Sequence, residues 1–160
     1  MDIVSDAGPI LSFARAHRLD LLRQVVGVLM IPHAVYEDIA VLGAGKPGSN
    51  EVQTASWIIH GAVHDRVFVE QLPARLHLGE REAIALAKER GAVLLVDERE
   101  ARREAQRYGV AVVGSLGVLK EAKNRGLIAQ VKPMLDEFVA AGMYVSDVLR
   151  EVLLRDVGEA

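Results

Sequence analysis

Short apolar runs alternate with amphipathic segments along most of the chain. Runs bounded by Gly, Pro or polar residues predict five short buried strands, at residues 3–4, 25–31, 67–69, 92–96 and 110–113. Between them, apolar residues recur at helical spacing, which predicts helices over residues 9–15, 19–24, 32–40, 51–59, 79–90 and 98–108. Strands that alternate with helices are typical of a parallel sheet covered on both faces, so we expect an α/β fold with three α/β/α layers.

The pattern changes after the fifth predicted strand. Ser115 begins a helix, and residues 130–140 and 148–154 have only helical periodicity, with Ser146 placed to cap the last helix. No repeat, low-complexity stretch or linker interrupts the chain. We therefore expect one domain over residues 1–160, with a helical extension over about residues 128–160.

Composition narrows the class of protein. The chain has 160 residues, of which 51% are hydrophobic, and this is enough apolar material for one sizeable core. Cysteine is absent, which excludes disulfides, thiolate nucleophiles and Cys-based metal sites. No apolar run is long enough to span a bilayer and no signal-peptide pattern opens the chain, so we expect a cytoplasmic protein without membrane contact. The formal net charge of -3 provides no general attraction to nucleic acid, so a polyanion would need a local basic patch or metal ions.

Polar side chains lie where the predicted strands end. Asp6 follows the first strand, Asp97 follows the fourth, and Ser115 comes just after the fifth. Glu37 and Glu80 lie on helices that can reach the same edge of the sheet. Ligand sites in open parallel sheets form beyond the carboxyl ends of the strands, so we expect these side chains to meet there. Clustered carboxylates repel one another unless they are protonated or bridged by a cation, and oxygen ligands suit Mg²⁺ or Mn²⁺ better than zinc.

Glu80 and Glu82 compete for one place in this cluster. Glu80 shares a helix face with the small-residue stripe that is expected to pack on the sheet, whereas Glu82 lies about 200° around the helix. We predict Glu80 as the ligand and keep Glu82 as the second choice. Each acid also has a structural explanation, because Asp6 and Asp97 can cap helices and both glutamates favour a helix N-terminus electrostatically. Ser115 can likewise be a helix N-cap rather than a residue that orients water or phosphate.

Several motifs together resemble PIN-domain proteins. They run in order along nearly the whole chain: VSDAGPI at 4–10, LDLL at 19–22, IPHAVYE at 31–37, GEREAIALA at 79–87, LLVD at 94–97, AR at 101–102, VGSLGVL at 113–119 and KNRGLI at 123–128. They are similar to a prokaryotic branch of that superfamily, which also contains the ribonuclease toxins of toxin-antitoxin pairs. The resemblance implies a parallel sheet between helices and metal-dependent hydrolysis of RNA by an endoribonuclease.

The resemblance also implies roles for particular residues. Asp6, Glu37, Glu80 and Asp97 correspond to the acidic set that binds metal and catalyses the reaction, and Ser115 lies at a polar position beside it. Toxins of this family have an aspartate before the Ala-rich helix, where this chain has a Glu-x-Glu pair. Glu82 therefore remains an alternative ligand to Glu80.

Partners follow from the same interpretation. Arg15, Arg99, Arg102 and Lys120 are candidate contacts to the RNA backbone, but residues 99–107 alternate basic and acidic side chains, as an ordinary solvated helix with local ion pairs does. The apolar stripe of Leu149, Val152, Leu153 and Val157 either completes the core or forms a homodimer contact. An antitoxin protein is a further expected partner.

Two other functions remain open at this stage. One is a PIN-like module that has lost catalysis and binds RNA or a protein partner. The other is an Asp-based phosphotransferase, which is less favoured because Gly8 stands where a second aspartate is expected and because the chain has no Gly-rich phosphate loop.

Overall fold

The computed structural model describes residues 2–160, in which five parallel strands form one sheet with helices on both faces. The strands are β1 (Ile3–Ser5), β2 (Leu29–Ile31), β3 (Ile58–His60), β4 (Val93–Leu95) and β5 (Val112–Val113). They lie in the order β3-β2-β1-β4-β5. The chain thus leaves β1 towards β2 on one side and returns to β4 on the other, which makes the β1–β4 boundary the topological switch point of the sheet.

Helices connect and cover these strands. They are α1 (Ala7–Arg15), α2 (Leu19–Val26), α3 (His33–Tyr36), α4 (Ser49–Thr54), α5 (Arg66–Gln71), α6 (Leu78–Arg90), α7 (Arg99–Arg107), α8 (Ser115–Asn124), α9 (Val131–Ala140) and α10 (Asp147–Asp156). A π-helical segment, Glu37–Val41, continues α3. Helix α6 packs against β1 and β4 and contacts α3, α5 and α7, while α1, α2, α8 and α9 form a second contacting group. The predicted α/β/α architecture is confirmed.

The two central strands are held in register by their apolar residues. Val4 pairs with Leu94 and Ser5 with Leu95, and the ladder extends one step further because the Asp6 backbone N–H donates to the Leu95 oxygen at 3.0 Å. Val4, Leu94 and Leu95 are fully buried. This burial on both faces is what a central parallel strand requires, and it fixes the point at which the chain at Asp6 leaves the sheet.

The prediction for the third strand was wrong. The apolar run at residues 67–69 lies in helix α5, where Asp65 accepts a hydrogen bond from the Phe68 N–H at 3.0 Å and caps the helix. Phe68 and Val69 are both buried while Val67 is 64% exposed, so burial does not alternate along the run as it would in a strand with one exposed face. The strand at this edge of the sheet is instead β3, which falls at the end of the helix predicted for residues 51–59.

The second strand is shorter than the predicted run at residues 25–31. Helix α2 continues through Val26, and Gly27 ends it with φ of +74°, a left-handed conformation that glycine adopts without a Cβ penalty. Only Leu29–Ile31 pairs in the sheet. Apolar periodicity could not separate the end of the helix from the strand, because both are partly or fully buried.

The two predicted C-terminal helices are α9 and α10. Leu153 is buried and Val157 packs against the core, whereas Leu149 and Val152 are 48% and 47% exposed. Lys123 also anchors the last residues. Its Nζ donates to the Val157 backbone oxygen at 2.6 Å and to a Glu159 carboxylate oxygen at 2.9 Å. The apolar stripe therefore contributes to the core in part, and the homodimer contact stays a prediction.

Candidate functional site

Asp6 lies at the carboxyl end of β1, at the switch point of the sheet. Its side chain is nearly buried, with 7% of the residue exposed. Burial raises the pKa of Asp6 to about 7; the backbone N–H of Ala7 opposes this, and the negative charges of Glu80, Asp38 and Asp97 add to it. The charges that act on Asp6 thus come from three elements: Glu80 on α6, Asp38 in the π-helical segment and Asp97 after β4.

Asp97 follows β4, and Ser115 holds its carboxylate. The Asp97 Oδ1 accepts from the Ser115 backbone N–H at 2.7 Å, and Oδ2 accepts from the Ser115 hydroxyl at 2.6 Å. Ser115 is the first residue of α8 and is fully buried, while Gly114 occupies the N-cap position. A Cβ at Gly114 would lie 3.0 Å from Asp97 Oδ1, so the glycine leaves the carboxylate its space. Ser115 thus orients Asp97 and is not the helix N-cap.

Glu80 and Glu82 have different surroundings although both are buried on α6. The Glu80 Oε1 accepts from the His77 backbone N–H at 2.9 Å, and its charge contributes to the raised pKa of Asp6. Both oxygens of Glu82 are engaged elsewhere, accepting from the Ala34 N–H at 2.9 Å and from an Arg66 Nη at 2.8 Å. Glu82 therefore ties α6 to α3 and α5, and Glu80 is the glutamate beside Asp6.

Glu37 is not among the acids whose charge acts on Asp6, although its charge does raise the pKa of Asp38. Its side chain is 53% exposed and pairs with His33 Nε2 at 3.0 Å, one helical turn earlier. The following residue, Asp38, is the one that faces α6: a Cβ built at Gly79 would lie 2.7 Å from the Asp38 Oδ2. Burial is the main cause that raises the pKa of Asp38.

Asp38, whose charge acts on Asp6, was not among the acids predicted from the sequence, although a signal was present. It follows the buried residues Ala34 and Val35 by four and three positions and so shares their helix face. Glu37 follows the exposed His33 by four positions and lies about 100° around the helix from Asp38. Periodicity applied to this short helix would have favoured Asp38.

The donor set suits a hard divalent cation. Asp6, Asp38, Glu80 and Asp97 offer only carboxylate oxygens, which are the ligands that Mg²⁺ and Mn²⁺ prefer. Within residues 2–160, however, no three His, Asp or Glu side chains are close enough together to hold an ion. The chemistry of the cluster fits a divalent metal, and its side chains would have to move closer to coordinate one.

Basic residues line a groove that begins at Asp97. The groove has a volume of about 650 Å³, and its polar wall contains Arg99, Arg102 and Arg103 of α7. The Arg102 Nη1 donates to the Val96 oxygen at 2.9 Å, which places its guanidinium beside Asp97. Two of the predicted RNA contacts, Arg99 and Arg102, therefore lie next to the acidic cluster.

The other two predicted RNA contacts lie elsewhere. Lys120 approaches the Asp156 carboxylate of α10 at 3.9 Å. Arg15 ends α1, eight residues from the start of that helix beside Asp6, which is about 12 Å at 1.5 Å per residue. Neither is among the residues that line the groove.

A parallel α/β/α sheet with acidic side chains at its switch point defines the general class of this protein. The sequence model of the family described as DUF3368, PIN domain, matches residues 2–159. The chain therefore belongs to the PIN-domain family. PIN domains are generally nucleases and usually use divalent metal ions.

A solved structure has the same fold. It is a PilT N-terminus domain protein, SSO1118, from the hyperthermophilic archaeon Sulfolobus solfataricus P2, and it matches with a TM-score of 0.51 and 13% sequence identity. The match covers 91% of this chain and 98% of that chain. A comparison with curated proteins gives no significant match.

Among the helices of residues 2–160, none combines the length and the apolar character needed to cross a bilayer.

Proposed function

We propose that this protein is a divalent-metal-dependent endoribonuclease that hydrolyses RNA phosphodiester bonds. The observation that carries the proposal is the convergence of Asp6, Asp38, Glu80 and Asp97 at the switch point of a PIN-type sheet. A nearly buried aspartate among three other acids destabilises the metal-free protein, and a bound cation would relieve that repulsion. Cation binding explains this arrangement of acids better than a contribution to the stability of the fold does.

Each side chain has a distinct part in this proposal. Bound Mg²⁺ or Mn²⁺ would supply a Lewis acid and lower the pKa of a coordinated water. Asp6 gives up its proton when the site binds a cation, and Ser115 keeps the Asp97 carboxylate oriented through two hydrogen bonds. Glu80 is fixed by the His77 N–H through one oxygen, and Gly79 leaves space for the carboxylate of Asp38.

Asp38 replaces Glu37 in the ligand set that we propose. The pair provides a matched test because the two acids are adjacent in sequence and differ in where they point. Purified wild type, Asp38→Asn and Glu37→Gln are incubated with a mixture of single-stranded and structured RNA in Mg²⁺, Mn²⁺ or EDTA. We expect metal-dependent cleavage that falls at least about 10- to 100-fold in Asp38→Asn, a loss typical even of residues that only support metal ligands.

Glu37→Gln should cleave at the wild-type rate. Loss of cleavage in Glu37→Gln with retention in Asp38→Asn would restore the original assignment. Cleavage that persists in EDTA and in Asp6→Asn and Asp97→Asn would indicate a contaminating nuclease and would refute the proposal.

A non-catalytic module that binds RNA or a protein partner is the second candidate. The wide spacing of the His, Asp and Glu side chains within residues 2–160 favours it, because no group of three is ready to hold an ion. It predicts that RNA binding is unaffected by Asp6→Asn and that Mn²⁺ does not raise the melting temperature.

The toxin role is also a proposal, supported by the family alone. It predicts that induced expression of the wild type arrests growth and that Asp6→Asn, expressed at the same level, does not. Co-expression of a small open reading frame adjacent to the gene would relieve the arrest if that frame encodes an antitoxin.

A further inference from the structure

The groove beside Asp97 is larger and less polar than a metal site needs. We call it the arginine groove, and it lies between α7, the start of α8 and the segment that leads into α10. Its volume of about 650 Å³ falls in the range of roughly 300–1,000 Å³ found for small-ligand sites. Its lining includes Arg99 and Arg103 of α7 and, from the C-terminal part of the chain, Met143, Tyr144 and Leu149.

Two arginines of this groove, Arg99 and Arg103, form no salt bridge within the described residues. The alternating charges on α7 favoured local ion pairs, and one forms, between Glu104 and Arg107 at 3.3 Å, whereas Glu100 pairs with Arg75 outside the helix. Within residues 2–160, no carboxylate forms a salt bridge with Arg99 or Arg103. Their positive charge is therefore available to an anion in a protein whose overall charge would repel one.

Tyr144 contributes the aromatic ring of the groove lining. It is 87% exposed, the largest exposed fraction among the large hydrophobic side chains, and Leu149, also in the lining, is 48% exposed. An exposed aromatic ring in the same groove as unpaired arginines matches a ligand that has a flat apolar part and an anionic part. A nucleotide has both, whereas an acidic peptide offers the charge without the flat ring.

We infer that the arginine groove binds one unpaired nucleotide of single-stranded RNA, with its base on Tyr144 and the adjoining phosphates at Arg99 and Arg103. The inference rests on the proposed ribonuclease function, because Asp97 is part of both the groove lining and the acidic cluster, so RNA in the groove would bring a neighbouring phosphate towards that cluster. A base that stacks on Tyr144 cannot remain in a duplex, so single strands are the substrate class.

Binding measured in EDTA tests the inference without cleavage. The probes are a short fluorescein-labelled single-stranded RNA and a duplex of the same sequence, followed by fluorescence anisotropy over a series of salt concentrations. Tyr144→Ala should weaken binding of the single strand at least about fivefold, the lower limit expected for loss of one stacked base. Tyr144→Phe should bind as the wild type does, because the ring is retained.

Arg103→Gln should lower the slope of log affinity against log salt by about 0.7, the value for one phosphate contact on a single strand. Arg90→Gln is the matched control, since Arg90 is also exposed but lies at the far end of α6, ten residues from Glu80. It should leave the salt slope unchanged.

Three results would overturn the inference. In the first, Tyr144→Ala and the wild type bind the single-stranded RNA with equal affinity. In the second, the duplex binds as tightly as the single strand. In the third, the wild type forms a concentration-dependent dimer, and Tyr144→Ala abolishes the dimer without changing the affinity for RNA. The proposed function fails separately: a wild type that binds single-stranded RNA through this groove but never cleaves it with Mn²⁺ would refute catalysis and leave the groove assignment standing.

Discussion

Replacing Asp6 by asparagine should stabilise the metal-free protein at alkaline pH. Asp6 is 7% exposed, and burial raises its pKa from the ordinary value of 3.8 to about 7. Between these pH values the folded protein holds a proton that the unfolded chain has lost. The contribution of Asp6 to the free energy of unfolding is thus fully present below pH 3.8 and is lost as the pH rises through about 7.

The size of the effect follows from the two pKa values. At about 1.36 kcal/mol per pH unit, the interval from 3.8 to about 7 corresponds to an upper limit on the order of 4 kcal/mol. One kcal/mol shifts the melting temperature of a protein of this size by about 2–4 °C. At about pH 8 in EDTA, Asp6→Asn should therefore melt above the wild type by an amount whose upper limit is about 8–16 °C, and at about pH 4 this advantage should disappear.

Thermal unfolding of both proteins across this pH range, in EDTA and then in Mn²⁺, provides the assay. Asp20→Asn is the control, because Asp20 is an exposed aspartate on α2. Mn²⁺ at a hundred times its dissociation constant should stabilise the wild type by about 2.7 kcal/mol and leave Asp6→Asn nearly unchanged. A difference between wild type and Asp6→Asn that stays constant with pH would refute the argument, since Asp6 would then carry no additional proton in the folded state.

Three further substitutions separate positioning from stability. Gly79→Ala places a methyl group 2.7 Å from the Asp38 Oδ2; it should abolish stabilisation by Mn²⁺ in thermal melts while the metal-free melting temperature stays level or rises, because alanine favours helices. Ser115→Ala removes the hydroxyl bonded to Asp97 and should lower the free energy of unfolding in urea by about 1.5–3 kcal/mol, as well as the cleavage rate. Glu82→Ala leaves a buried N–H without its acceptor and should destabilise by about 1–3 kcal/mol in the same titration. Its affinity for Mn²⁺ should remain that of the wild type, and a large loss would return Glu82 to the ligand set.

The sequence alone determined the centre of the sheet and the acids attached to it. Buried apolar runs bounded by polar residues define β1 and β4, and Asp6 and Asp97 are covalently fixed one or two residues after them. Helix α6 was equally clear, because Gly91 ends it and Glu80 lies in its first turn. These features depend on neighbours along the chain, so local pattern is sufficient to predict them.

Tertiary structure decided the features that depend on contacts between distant segments. The strand at residues 58–60 was predicted as the end of a helix, because an edge strand with Ile59 39% exposed lacks the continuous burial of a central one. The choice of Asp38 over Glu37 depends on the side of α3 that meets α6. Adjacent helical residues point about 100° apart, and only packing fixes the rotation of so short a helix.

Ion pairing around the arginine groove also depended on contacts between distant segments. The spacing of acids and bases on α7 predicted internal pairs, and Glu104 does pair with Arg107, yet Glu100 pairs with Arg75, which is 25 residues earlier in the chain. That pairing leaves Arg99 and Arg103 facing the groove, and Tyr144 reaches the same groove from the segment before α10. The partner of Glu100 depends on which surfaces meet in the fold, and no local pattern in the sequence specifies that partner.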